Sequence, residues 1–392
     1  ERLKLPNNLK HLKDLKERKE FKEELFRRWK RGHDGMCGMM YAHFNYFKIH
    51  DRARGGMINP DYRHYENLTF SCVESCIYGK NEYFEDNTQK GMIYLSRRGF
   101  GKSADFGSIA LTTISTLKEV VVKVTSKDET DVKKFLQQKV KNTYYAVKPY
   151  LRFSELTNNR GDFHLGKEDS IEGLTLITGN NSQIICCAPT IAALEGGGAR
   201  VVIIDEAGKI KGLTEMVDNM LPSLCEKDGI TRVGVPLIGG VAGEVAQFAT
   251  DYQDLWENAE KRDLLRWFVP GWAGIRLDEF GNDDIEAAVE MIFTLRLKAQ
   301  SISESALISH LKQYPLTPEE ALNSSSTGVL NRARIREQCA VLGSNPKSTR
   351  SGTMSWLDKA SKHPNFIPNI NGKVEILENP IQSLVSQGKY IG

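Results

Sequence analysis

The octet Ser96-Arg97-Arg98-Gly99-Phe100-Gly101-Lys102-Ser103 is where residue type and spacing point most directly to chemistry. It follows an apolar run, Gly91–Leu95, and precedes a segment with Phe106, Ile109, Ala110 and Ile114 on one helical face. A strand, a glycine turn and a helix start together form a phosphate cradle, because backbone N–H groups at a helix N-terminus attract anionic oxygens. The spacing is that of a phosphate-binding loop (Walker A), with Ser96 standing where the first glycine usually falls. In this reading Ser96, Arg98, Gly99, Phe100 and Gly101 hold ATP through the loop. Lys102 reaches the β- and γ-phosphates, and the Ser103 hydroxyl is a ligand of Mg²⁺. About 100 residues further on, the apolar run Val201–Ile204 ends in Asp205-Glu206. Asp205 is expected to hold Mg²⁺ through water, and Glu206 to orient and deprotonate the attacking water. Alone, a Gly-Lys-Ser turn or a strand running into an acidic loop is common. Both in one alternating block point to ATP hydrolysis. Charge on the γ-phosphoryl group needs a further cation. Arg97 and Arg98 are placed to supply it within the chain, and Arg200 to a neighbouring subunit, although each arginine has an equally plain structural reading.

These residues need a scaffold, and the sequence supplies one. From residue 91 onward, β-branched runs alternate with helix-length stretches: Gly91–Leu95, Val120–Thr125, Leu174–Thr178, Gln183–Cys187, Val201–Ile204, Val233–Ile238 and Leu265–Val269. This texture predicts an α/β fold of the P-loop NTPase kind. Its mainly parallel central sheet is flanked by helices, with the nucleotide at the C-terminal ends of the strands. Residues 1–70 read as an N-terminal helical or lid segment and 71–274 as the ATPase core. Residues 275–342 read as a small helical lid subdomain, with a stripe of Ile285, Val289, Ile292, Phe293 and Leu297, a helix over Glu304–Tyr314 and another over Ala333–Leu342. Residues 343–392 read as a linker, richest in Gly, Ser, Thr and Pro over 343–355.

Composition bounds the partners. Hydrophobic residues make up 40% and charged residues 26% of 392, which excludes a disordered chain or a disulfide scaffold. The 53 basic and 50 acidic residues leave a net charge of only +3, too little to imply nucleic acid by itself. The first 32 residues hold 12 Lys/Arg against 6 Asp/Glu, either a solvated helix or a basic arm. No apolar run approaches the roughly 20 residues of a membrane span. The seven cysteines read as reduced thiols. Cys72 and Cys76, with His64 the only plausible addition, fall short of a zinc site, and Cys186-Cys187 read as strand core.

The loop with Ser for the first Gly, and the apolar strand ending Asp-Glu, resemble the large terminase subunit of tailed bacteriophages. So do two flanking stretches. One is Cys37, Tyr41, Phe44-Asn45-Tyr46 and Lys48-Ile49 with Met57-Ile58-Asn59-Pro60 and Tyr65-Glu66. The other is Tyr314-Pro315-Leu316-Thr317-Pro318-Glu319-Glu320-Ala321-Leu322. The resemblance implies an ATP-driven motor that moves double-stranded DNA into a procapsid. Its partners would be the portal protein, the small terminase subunit and further copies of itself in a ring, a pentamer by resemblance. It would act in the host cytoplasm, transiently on the portal, with no membrane. It further implies adenine recognition by Tyr62, Tyr65 and Glu66, where the family usually has Gln for Glu66, and a coupling role for Gly239 and Gly240, where the family often has Thr or Ser. The family's nuclease domain carries a metal-binding acidic cluster. After residue 342 only Asp358, Glu375 and Glu378 are acidic, so an ATPase portion without nuclease activity is expected. The alternatives are another helicase-type P-loop translocase, or a nucleotide-binding assembly module that does not hydrolyse.

Overall fold

The structure is a computed structural model that describes residues 2–12, 14–51, 54–171, 174–242, 249–322, 350–356, 364–368 and 374–376. The chain divides into two compact units, Glu1–Ser324 and Ser325–Gly392.

The first unit begins with three helices, α1 (Leu15–Arg31), α2 (Gly38–Asn45) and α3 (His64–Ile77), and a short antiparallel pair, β1 (Ile49–Asp51) and β2 (Gly56–Ile58). Asp14 caps α1, its side chain accepting from the N–H of Glu17. Glu74 of α3 accepts from the N–H of Met39 at 2.5 Å in the first turn of α2, where a helix favours negative charge. Burial nevertheless pushes its carboxyl up to about 7.

Eight further strands make one sheet: β3 (Gly91–Ser96), β4 (Val121–Thr125), β5 (Glu155–Asn158), β6 (Asp162–Ile171), β7 (Leu174–Cys186), β8 (Val201–Ile204), β9 (Val235–Val241) and β10 (Leu264–Val269). Their order is β10-β3-β9-β8-β4-β7-β6-β5. The first six in that order run parallel, and β6 and β5 join antiparallel at one edge. Helices α4 (Lys102–Thr116), α5 (Glu129–Phe135), α6 (Asn142–Ala146), α7 (Ile191–Glu195), α8 (Leu213–Met220) and α9 (Ala249–Glu257) connect the strands. Burial of β3 and β8 on both faces explains their continuous apolar runs: every residue of each strand is buried. One core cluster joins α1–α3 to α4 and that face of the sheet through Trp29, Phe47, Phe70, Phe106 and Ile109. A second lies on the opposite face, under α8 and α9.

The strands expected from the sequence are present, with three differences. Leu174–Thr178 and Gln183–Cys187 are one long strand, β7. The edge strands β5 and β6 were not legible as strands. The strand expected to stop at Ile238 continues through Gly239 and Gly240 to Val241, paired with Tyr94 and Leu95 of β3, so the two glycines are strand rather than turn. A boundary at residue 70 falls inside α3.

Helices α10 (Ile285–Ile302), α11 (Glu304–Gln313) and α12 (Pro318–Leu322) complete the first unit. Arg296 ties them together, donating to Glu320 at 2.6 Å and to the Tyr314 carbonyl at 3.1 Å. The helix expected over Ala333–Leu342 lies outside the described residues. In the second unit, part of the expected linker is instead sheet. β11 (Arg350–Trp356) pairs antiparallel with β12 (Pro364–Pro368) and β13 (Val374–Ile376). A Ser/Thr-rich segment with no apolar alternation gave little sign of this.

Candidate active site

The loop between β3 and α4 is shaped by two glycines and one phenylalanine. Gly99 and Gly101 have φ of 77° and 120°, a region that side chains with a Cβ rarely enter. Phe100 between them is buried against the edge of Tyr65, with the guanidinium groups of Arg63 and Arg97 5.8 and 5.7 Å from its ring centre. Arg63 also donates to the Phe100 carbonyl at 2.8 Å. The expected phosphate loop is therefore held from behind. Phe100 serves as its anchor, not as a surface for a base.

The loop delivers Lys102 and Ser103 to the first turn of α4, where helix N–H groups have no intrahelical partner. Both side chains converge on Asp205, just past the C-terminal end of β8. Lys102 Nζ pairs with Asp205 Oδ1 and donates to the Gly239 carbonyl at 3.1 Å, while Ser103 Oγ donates to Asp205 Oδ2 at 2.8 Å. Strand β9 lies between the strands that carry the loop and the carboxylates. That separation brings the two motifs together across about 100 residues of sequence. Glu206 follows in a left-handed conformation, φ 53°, uncommon for a residue with a side chain. Its carboxylate lies 3.5 Å from Lys127 Nζ and 3.3 Å from Lys209 Nζ. Ser96, Asp205 and Lys127 stand at or just past the C-terminal ends of parallel strands, with Gly239 in the last three residues of β9 between them, at the end of the sheet where open α/β folds bind ligands. A serine hydroxyl beside a carboxylate is the oxygen donor set of a hard divalent cation, and Mg²⁺ fits Ser103 and Asp205.

The three arginines are placed unequally. Arg97 is buried, its Nε donating to the Ala273 carbonyl at 2.7 Å and its Nη1 to the Arg98 carbonyl at 3.0 Å. Burial and the neighbouring Arg63 lower it to about 10. Arg200 sits before β8, at the other end of the strand from Asp205, and donates to the carbonyls of Val233 and Ile77. Both guanidinium groups thus serve backbone carbonyls. Arg98 has an exposed side chain, while its N–H donates to the Gln313 carbonyl at 3.1 Å.

The expected adenine residues separate. Tyr62 packs edge-on to Phe44. Tyr65 donates to the Phe268 carbonyl at 2.5 Å and meets Trp272 and Trp267. Glu66 does not face outward at all. One residue further along α3, it is buried against His43 of α2 and Asp105 of α4, with no route to a base. Gly239 and Gly240 answer to packing. A Cβ on Gly239 would collide with the Phe106 ring, and one on Gly240 would lie 2.6 Å from Tyr252. Cys72 and Cys76 are buried thiols raised by desolvation. Sequence reasoning missed Arg63, Lys127 and Lys209, which belong to no spacing pattern.

A six-stranded parallel run, a glycine loop opening a helix and a lysine, serine and aspartate meeting at the strand ends define an α/β fold of the P-loop NTPase type. Solved structures that this chain resembles include large terminases of several phages. The ATPase domain of the Thermus phage P74-26 large terminase matches at 12% identity over 58% of this chain and 88% of that one, with a TM-score of 0.39. The bacteriophage HK97 large terminase matches at 12% identity over 79% and 52%, TM-score 0.41. A large terminase from a thermophilic bacteriophage, in complex with ADP, matches at 10% identity over 65% and 53%, TM-score 0.36. The chain spans about half the length of the latter two proteins. No family model matches the chain, and no curated protein matches it. No described helix is long and apolar enough to cross a membrane.

Proposed function

We propose that this chain is the ATP-hydrolysing motor portion of a viral large terminase, which drives double-stranded DNA into a procapsid. The observation that carries the ATPase reading is the meeting of Lys102, Ser103 and Asp205 at the strand ends with Glu206 beside them. The motor reading rests on the sequence resemblance in the loop and its flanks.

On nucleotide binding, Lys102 leaves Asp205 for the β- and γ-phosphates, and the N–H groups at the start of α4 hold the remaining phosphate charge. Bound Mg²⁺ would neutralise developing charge between the phosphates. Ser103 and Asp205 would hold it. Glu206 orients the attacking water and takes its proton, while Lys127 and Lys209 fix the position of its carboxylate. The exposed Arg98, rather than Arg97, is the loop arginine free to swing toward the γ-phosphoryl group. Because Arg98 also bonds through its backbone to the end of α11, a change in the loop reaches the helices after residue 285. The portal, the small terminase subunit, a ring of copies and action in the host cytoplasm complete this reading.

The test is steady-state ATP turnover with and without double-stranded DNA. Lys102→Ala should abolish turnover, and DNA should stimulate the wild type. Near-normal turnover in the variant would remove the site assignment. Turnover indifferent to DNA in assembled rings would leave an ATPase and remove the motor.

A further inference from the structure

Behind the phosphate loop, three helices each contribute one side chain to a common buried point. His43 of α2, Glu66 of α3 and Asp105 of α4 place their ligand atoms within 4.8 Å of one another. Their exposures are 0%, 4% and 2%, so bulk water does not satisfy them. His43 Nδ1 bonds Ser108 Oγ at 2.8 Å, which directs Nε2 toward the carboxyls, 3.8 Å from Glu66 Oε1. Among the described residues, His43 Nε2 has no hydrogen-bond partner, and the Asp105 carboxyl faces the Glu66 carboxyl, two acceptors held together by burial. The buried Tyr94 hydroxyl is likewise unpartnered among them and lies near enough to both carboxyls to feel their charge.

Each orphaned buried acceptor costs about 1–3 kcal/mol, so a group of them calls for a counterpart. One proton shared between Glu66 and Asp105 would serve the carboxyl pair. It would leave Nε2 unserved, because 3.8 Å is too long for a hydrogen bond. A cation serves all three at once. With Nδ1 bonded to Ser108, Nε2 is the ring nitrogen left available as a ligand. A divalent ion balances the two carboxylate charges, which also feel the positive charge of Arg63 and, at Asp105, of Lys102 and Lys139.

We propose that His43, Glu66 and Asp105 ligate a buried divalent cation of the zinc and manganese kind. One imidazole and two carboxylates suit such ions, whereas Mg²⁺ prefers oxygen ligands and retains its waters. Ligand bonds of about 2.0–2.2 Å set ligand atoms roughly 3.3–4 Å apart, and the His43–Glu66 separation already lies there. Ser108 fills the outer-shell role of holding the ring through its second nitrogen. The ion pins α2 and α3 to the first turn of α4, with Asp105 three residues along the helix from Lys102. This site does not depend on the nucleotide reading and uses none of its residues.

The experiment strips the full chain with a chelator, without nucleotide, reloads it with Zn²⁺ or Co²⁺ and removes excess ion by gel filtration. Metal content should be stoichiometric in the wild type and in Asp205→Asn, which alters the nucleotide site alone. It should be lost in His43→Gln and in Asp105→Asn. Co²⁺ should give visible absorption in the wild type and none in His43→Gln. Chelator should lower the thermal midpoint of the wild type by several degrees, a readout that needs no variant to fold. A wild type that retains no ion and melts identically with chelator would overturn the proposal in favour of a protonated, metal-free cluster. Equal retention in His43→Gln and Asp105→Asn would overturn it by placing the ion elsewhere.

Discussion

Strand β8 is charged at both ends, and the two ends are used differently. At its C-terminal end, Asp205 and Glu206 meet side chains drawn from α4, the end of β4 and the turn after β8. At its N-terminal end, roughly 16 Å away at strand rise, Arg200 meets the backbone carbonyls of Ile77 and Val233. Side chains paired with other side chains can exchange those partners for a substrate. A guanidinium closing backbone carbonyls is replaceable only at the cost of leaving them unsatisfied. The partners of a charged residue, more than its type, distinguish a group poised for chemistry from one that holds the fold.

Four variants can break or sharpen that contrast. Glu206→Gln keeps size and removes the proposed base. Turnover should fall about a thousandfold with nucleotide affinity nearly unchanged. A parallel loss of affinity would make Glu206 structural, like Arg200.

Glu74 supplies a carboxylate held by the backbone at the start of α2, and its effect should appear in pH. Its folded value of about 7 lies above the ordinary 4.5. The fold therefore favours the protonated form. The stability it lends is full below the unfolded value and declines as pH rises from about 4.5 to about 7. Glu74→Gln should remove that decline and stabilise the chain at pH 8 by up to about 3 kcal/mol, as read from denaturant midpoints across pH. An unchanged slope would contradict this.

Arg200→Ala should destabilise by about 2 kcal/mol and leave turnover per folded chain intact. If assembled rings instead lose turnover while stability holds, Arg200 acts on a neighbour and the contrast between the strand ends fails. Gly239→Ala forces Phe106 aside and should cost about 1–2 kcal/mol. Lys102 is also 3.0 Å from that added Cβ, so turnover should fall modestly too. An unaltered melting curve would show that the ring moves freely.

Much of the candidate site was legible because it depends on local patterns. A buried parallel strand reads as an apolar run, and a loop that needs positive φ reads as glycine at Gly99 and Gly101. Lys102, Ser103, Asp205 and Glu206 are each singled out by such patterns, and the structure brings Lys102, Ser103 and Asp205 into contact, with Glu206 the next residue in the chain. Glu66 differs from its expected place because it follows the last aromatic of that stretch by one residue. On α3 that step turns the side chain from the aromatic cluster of Tyr65 to the buried face. Arg97 and Arg200 were readable as arginines but not as carbonyl ligands, since their partners Ala273, Ile77 and Val233 come from other parts of the fold. β5 and β6 escaped notice because an exposed edge carries polar residues such as Thr157, His164 and Lys167 with weak alternation.

Phe100 has a consequence for the proposed nucleotide binding. Its ring is locked beneath the loop and its carbonyl is held by Arg63, so the loop is already folded before phosphate arrives. Association then loses little conformational entropy at this segment. The heat-capacity change on binding should be small, reporting contact with the ligand and little coupled ordering of the chain. Phe100→Ala should make that change larger and more negative, because each binding event would then have to assemble the cradle.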